Sequence, residues 1–259
     1  MNKLVLVTGA TSGFGEAIAK VFAANGYDLC ITGRRADRLN KLKQELEAKH
    51  DMHVTELIFD VRDRKQVTDA ISALKNKVER VDILVNNAGL ASGLSTIDEG
   101  DMDDWDLMVD TNVKGLLYVT RTVLPLMKEK GGHIFNIGST AGKLVYKNGN
   151  VYCATKFAVE ALSQSMRIDL LPYGIKVTAV NPGMAETEFS LVRFKGDQER
   201  ADNVYKGFMP LQAEDIANTV YYCATLPAHV CINDLTITCL NQANGIYSMK
   251  DAEKINITK

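Results

Sequence analysis

The stretch Leu4-Val5-Leu6-Val7-Thr8-Gly9-Ala10-Thr11-Ser12-Gly13-Phe14-Gly15 decides how the rest of the chain is read. It opens on a short, unbroken apolar run, the pattern of a strand buried on both faces. That run ends at Thr8-Gly9, far too early for the apolar segment of a signal peptide. Glu16 to Ala24 then carries a helical pattern that stops at Asn25-Gly26. Strand, glycine-rich turn and helix in this order let backbone N–H groups approach a pyrophosphate at a helix N-terminus. Gly9, Thr11, Ser12, Gly13, Phe14 and Gly15 are therefore candidate cofactor-binding residues. Glycine-rich turns often serve only tight turning, so the placement between strand and helix carries the argument.

Further strand-like runs follow at the spacing of repeated βα units. The second, Asp28 to Thr32, ends at Gly33-Arg34-Arg35. In a dinucleotide-binding fold this strand end lies beside the adenosine ribose, where an acidic residue would take the free 2′-hydroxyl of NAD. Two arginines stand here instead, and guanidinium forks suit a 2′-phosphate. Arg34 and Arg35 thus point to NADP(H), although they can also simply solvate a helix start. A polar helix (Asp37 to Lys49) leads to a third strand, Val54 to Phe59, ending at Asp60-Val61. Asp60 can accept from an adenine amino group or cap the next helix. The fourth strand, Val81 to Val85, closes on Asn86-Asn87-Ala88-Gly89, whose amides can tie neighbouring strands together or face a cofactor.

Asp101 to Lys130 reads as one long helix interrupted by Asn112 and Gly115. A mid-helix Asn is either a core amide satisfied by backbone or a holder of ordered water. The fifth strand, His133 to Ile137, delivers Gly138-Ser139-Thr140 to its carboxyl end, where open α/β sheets bind ligands. Ser139 can bond a substrate oxygen there or act as a turn residue. Tyr152 and Lys156 lie four residues apart on a helical segment and share a face. A Lys cation beside a phenol is expected to lower its pKa, the chemistry of an acid/base for an alcohol oxygen. The sixth strand, Ile175 to Val180, ends at Asn181-Pro182-Gly183. Residues 184 to 212 then break the alternation and read as a lid holding Arg193 and Lys195 among aromatic residues. A helix (Ala213 to Thr225), a last strand (Leu235 to Leu240) and a polar tail (241 to 259) complete one expected domain, 1 to 259.

Composition narrows the class. The 259 residues are 46% hydrophobic with a net charge of −2, which offers no basic surface for nucleic acid or an anionic membrane. No stretch approaches the roughly 18 apolar residues that span a bilayer. Five scattered cysteines (30, 153, 223, 231 and 239) lack paired or zinc-type spacing and read as reduced thiols, so no metal and a cytoplasmic setting are expected.

With Gly9-x-x-x-Gly13-x-Gly15, Asn86-Asn87-Ala88-Gly89, Asn112, Ser139 and Tyr152-x-x-x-Lys156 in register, the chain resembles the short-chain dehydrogenase/reductase family from residue 3 to about residue 240. The resemblance implies one Rossmann domain with seven parallel strands and helices on both faces. It implies Tyr152 as acid/base, Lys156 as its pKa-lowering partner on the nicotinamide ribose, Ser139 as orienter of the carbonyl and Asn112 as holder of a relay water. It also puts Pro182, Gly183 and Thr187 beside the nicotinamide, and homotetramers are common in the family. Thr187-Glu-Phe-Ser190, Val192-Arg-Phe-Lys-Gly-Asp197 and Leu226-Pro-Ala-His-Val230 resemble the NADP-dependent 3-hydroxy acid dehydrogenases within it. That group, with the related sulfoacetaldehyde reductases, implies a small anionic substrate of the serine, 3-hydroxypropionate or isethionate kind. Gly183-Met-Ala-Glu-Thr187 departs from the group by being shorter and by carrying Glu186. Arg193 and Lys195 are the candidate donors to the substrate's anion, or alternatively solvated lid charges or intersubunit contacts. The competing readings are a carbonyl reductase for larger neutral substrates such as ketoacyl thioesters, and a non-catalytic NADP-binding regulator.

Overall fold

The computed structural model describes residues 2 to 250. Seven parallel strands form one sheet in the order β3-β2-β1-β4-β5-β6-β7. They are β1 (Leu4–Val7), β2 (Asp28–Gly33), β3 (Val54–Ile58), β4 (Ile83–Asn86), β5 (Gly132–Ile137), β6 (Ile175–Pro182) and β7 (Asp234–Ile237). Val5 pairs with Leu29 on one side and Ile83 on the other, so β1 sits at the centre. The chain winds outward from β1 to β3 and then restarts in the opposite direction from β4. That reversal opens a crevice at the carboxyl ends of β1 and β4.

The period-2 alternation of the strands divides the core into two layers. Val5, Val7, Ile31, Val85 and Phe135 face α1 (Gly13–Ala24), α2 (Ala36–Lys49) and α9 (Ala213–Thr225). Leu4, Leu6, Leu84, Ile134 and Val177 face α3 (Arg64–Lys75), α5 (Leu116–Val123) and α6 (Asn150–Leu170). In α1, Ala19, Phe22 and Ala23 repeat on one stripe and are buried. Phe22 meets Tyr27 and Tyr221 edge-on, which seats α1 on α9. Truncating such a side chain costs about 3–5 kcal/mol.

Two expectations are refined by this architecture. The helix read across Asp101 to Lys130 is α4 (Met102–Val109), a π-helical turn (Asp110–Gly115) and α5. Asn112 and Gly115 therefore widen the helix rather than break it, and such turns are frequent where side chains are re-aimed. The cap of α3 is Asp63, which accepts from the N–H groups of Lys65 and Gln66, so the capping alternative for Asp60 does not hold. Over residues 184 to 212 lie α7 (Phe189–Arg193) and α8 (Gln198–Tyr205). Part of the tail also has a defined place, with Gln242 Oε1 accepting from the Met184 N–H at 2.7 Å. Residues 251 to 259 of that expected tail lie outside the described residues.

Candidate active site

A cleft of about 440 Å³ runs along the carboxyl edge of the sheet. At one end is the glycine turn. Gly9 has φ +67°, and a Cβ there would lie 3.0 Å from the Ala88 Cα, so both backbone conformation and close packing require glycine. A Cβ at Gly15 would collide with the Gly9 carbonyl. Gly15 thus stands behind the cleft wall and lets the turn fold back on α1, while Gly9, Thr11, Ser12, Gly13 and Phe14 line the cleft. Asn87 holds the opposite wall. Its side-chain amide donates to the Thr8 carbonyl at 2.8 Å, and the Thr8 hydroxyl accepts from the Ala88 N–H at 3.0 Å. Asn87 and Ala88 tie the end of β4 to the residues that follow β1, and with Gly89 they line the cleft.

The β2 end carries the expected arginines and one more. Arg35 donates to the Thr11 hydroxyl at 2.7 Å and the Ser12 hydroxyl at 2.9 Å, which locks its fork against the glycine turn. Arg38, one helical turn later, was not singled out from sequence, yet it joins Arg35 on the Glu188 carboxylate. Burial opposes ionisation of Glu188, but Arg38 and Arg35 outweigh it and hold its carboxyl below the ordinary range. Arg34 lies 3.7 Å from Asp60, whose carboxylate also takes a fork from Arg62. Burial likewise opposes charge on Asp60, and Arg62 prevails. Asp60 and Val61 both line the cleft.

At the other end the edge of β5 meets α6. Ser139 is held by its N–H donating to Asn181 Oδ1 at 3.1 Å, and its hydroxyl accepts from the Ala141 N–H at 3.1 Å. Asn181 in turn donates to Glu160 and Asp234, both paired with Lys143, so a polar network beneath the loop sets its position. Tyr152 and Lys156 project from one face of α6 beside Ser139, with Nζ 5.9 Å from the phenol ring centre. Lys156 Nζ donates to the Ile137 carbonyl at 2.9 Å.

The pKa expectation for this pair is reversed. Burial pushes the Tyr152 phenol up to about 12, against a smaller lowering by its hydrogen bond with Ser139. Burial also brings the Lys156 ammonium down to about 8. Desolvation outweighs the mutual effect because the ammonium is directed at a carbonyl rather than at the phenol oxygen.

Asn112 lies behind this surface. Its Oδ1 accepts from the Leu90 N–H at 2.8 Å, and its amide donates to the Leu90 carbonyl and the Thr155 hydroxyl. It is the backbone-satisfied core amide of the two alternatives. Pro182, Gly183 and Thr187 line the cleft, whereas Glu186 is exposed and outside it.

Arg193, on the last turn of α7, reaches over the same end. Its guanidinium carbon is 5.0 Å from the Tyr152 ring centre, 5.4 Å from that of Phe189 and 5.6 Å from that of Tyr146. It donates to the Tyr146 hydroxyl and has no acidic partner among the described residues. Its Nε is buried without a hydrogen-bond partner. Lys195 goes elsewhere, pairing with Asp104 at 2.9 Å and Asp101 at 3.5 Å outside the cleft, so it is not an anion donor here. Tyr146 and Glu188 were missed from sequence, and Phe189 was read there only as one of the lid aromatics. An aromatic six residues before Tyr152 was the one available signal, since a carboxylate on a lid reads as solvated.

The cleft suits a dinucleotide on its own features: a helix-terminal glycine turn, arginines at the β2 end, and the wall hydroxyls of Thr32 and Thr111 buried without partners. No described helix is long and apolar enough to cross a membrane. All five cysteines are free thiols.

Parallel sheet, glycine turn and the Ser-Tyr-Lys cluster define a nicotinamide-type oxidoreductase, and residues 3–197 match the family model for short chain dehydrogenase. The chain belongs to the short-chain dehydrogenase/reductase family. It is 47% identical to sulfoacetaldehyde reductase 2 of Chromohalobacter salexigens, over 96% of this chain and 99% of that protein. It is 46% identical to an NADP-dependent 3-hydroxy acid dehydrogenase of Escherichia coli K12, over 93% and 96% of the two chains. The closed form of serine dehydrogenase complexed with NADP+ superposes with a TM-score of 0.87 at 46% identity, over 93% of this chain and 96% of the other.

Proposed function

We propose that this protein is an NADP(H)-dependent oxidoreductase that interconverts a small anionic hydroxy compound and its aldehyde or ketone. Substrates of the serine, 3-hydroxypropionate/malonic semialdehyde and isethionate/sulfoacetaldehyde kind fit this reading. The observation that carries it is the Arg193 guanidinium, free of carboxylate partners among the described residues and with its central carbon 5.0 Å from the Tyr152 ring centre. A half-buried cation with an unmet donor is a receptor for a carboxylate or sulfonate. The relatives named for sulfoacetaldehyde, hydroxy acids and serine support the same substrate class.

NADP(H), when bound, supplies or accepts the hydride at the carbonyl carbon. Arg34, Arg35 and Arg38 are the residues that would hold its 2′-phosphate, and the Gly9–Gly15 turn would receive its pyrophosphate. Ser139 and Tyr152 donate hydrogen bonds to the substrate oxygen as negative charge develops on it. Tyr152 passes its proton to that oxygen in reduction and recovers it in oxidation. A phenol raised to about 12 is fully protonated at neutral pH and ready to donate. Lys156 takes part in replenishing the proton. Arg193 fixes the substrate's anionic end, so that a chain of two or three carbons brings the carbonyl to Ser139 and Tyr152.

Assembly as a homotetramer and a lid over 184 to 212 belong to the same reading, and light scattering would test the first. The direct test of function is NADPH oxidation with malonic semialdehyde, sulfoacetaldehyde and a neutral ketone, with NADH alongside. Turnover confined to NADPH and the anionic aldehydes is expected. Turnover of the neutral ketone alone would remove the anion reading. Tight NADPH binding without turnover of any carbonyl would favour a non-catalytic regulator.

A further inference from the structure

Helix α7 is five residues long and joins two arginine sites. Glu188, the residue preceding it, accepts from Arg38 Nη1 at 2.7 Å and from Arg35 Nη1 at 3.1 Å. Arg193, its last residue, reaches Tyr146 and Tyr152. Arg35 has other fixed partners in Thr11 and Ser12, whereas among the described residues the Glu188 carboxylate has side-chain hydrogen bonds only to the two guanidinium groups. A carboxylate and a phosphate monoester accept from the same fork of N–H donors and carry the same sign of charge. The two cannot share Arg35 and Arg38 without repulsion.

We propose that Glu188 is a specificity-determining residue of the cofactor site, an internal anion held by Arg35 and Arg38 that the 2′-phosphate must displace. The inference rests on the NADP(H) reading above. Two consequences follow from the geometry. Affinity for the 2′-phosphate is set by the exchange of one acceptor for another, so it is lower than the same arginines would give alone. The N-terminal end of α7 is unfastened by the phosphorylated cofactor and not by NAD(H), which links the phosphate end of the cleft to the helix that carries Arg193.

Equilibrium binding of NADPH and NADH, measured by fluorescence on wild type and Glu188→Gln, tests the first consequence. Removing the competing charge should tighten NADPH about three- to thirtyfold, the range for one or two half-exposed ion pairs, and leave NADH within about twofold. Glu188→Ala should shift the same way. Unchanged or weaker NADPH binding in both variants, with wild type still preferring NADPH, would overturn the proposal alone. Equal affinity for NADPH and NADH in all three proteins would remove the NADP(H) reading and the proposal together. Hydrogen exchange across residues 185 to 196 tests the second consequence without any turnover. Cofactor-free Glu188→Gln should exchange faster there than wild type, and identical exchange would rule out the fastening role.

Discussion

The two ends of the cleft both present arginine, but they do so in opposite states. At the β2 end Arg34, Arg35 and Arg38 all lie against carboxylates, those of Asp60 and Glu188. At the Tyr152 end Arg193 rests among three aromatic rings and a phenol hydroxyl. A neutralised arginine gains from an arriving anion only the difference between two acceptors. An arginine without an acid partner keeps its whole charge-assisted bond for the ligand. The difference predicts that the substrate end discriminates charge more sharply than the cofactor end, although it holds fewer cations.

The largest effect should come from removing the chemistry while leaving both arginine sites intact. Tyr152→Phe should lower kcat by at least about 10²–10⁴-fold. NADPH affinity should stay near wild type, and activity within twofold of wild type would refute the acid/base assignment.

Arg193→Ala sharpens the comparison next. It should raise KM for anionic aldehydes about 10- to 100-fold, the worth of one bond to a charged group, with little change for a neutral ketone. Equal losses on both substrates would mean that Arg193 is a packing residue. Arg35→Ala should have the smaller effect, weakening NADPH about three- to tenfold and NADH hardly at all, because its fork already has a carboxylate to satisfy. A larger loss than at Arg193 would break the comparison.

The lysine of the cleft offers a pH test. Lys156 falls from 10.5 to about 8 on folding, so the unfolded chain binds more protons between those values. Stability should therefore rise with pH across that window as the buried ammonium is neutralised. Tyr152 acts in the opposite sense from about pH 10, since its folded pKa is raised to about 12. The Lys156 contribution is thus cleanest between about pH 8 and 10, where denaturant unfolding of Lys156→Met should show a flatter profile than wild type. An equally steep profile would exclude the buried amine as the source.

Much of this site was legible before any coordinates. The strands and the ordered motifs are local patterns, and α9 spans the residues expected, Ala213–Thr225. Gly9 and Gly13 were legible because positive φ leaves few other residues possible. Asp60 was misread as a possible cap because Asp63, three residues on, fits the same pattern and only geometry separates them. The Tyr152 pKa was misjudged because the proximity of Lys156 is a sequence property, whereas desolvation depends on everything packed around the pair. Glu186 departs from the related sequences, yet the lid carboxylate that lines the cleft is Glu188.

The βα repeat, the glycine turn, the Ser139, Tyr152 and Lys156 set and the absence of an acid at the β2 end can all be read along the chain. Each is written in neighbouring residues, where helical or strand period dictates which side chains share a face. The fate of the cations depends instead on the folded arrangement. Lys195 turns away to Asp104, Arg193 turns in towards Tyr152, and Glu188 reaches across 150 positions of sequence to Arg38. Charge pairing is a matter of distance and desolvation in space, and the linear order of residues carries neither.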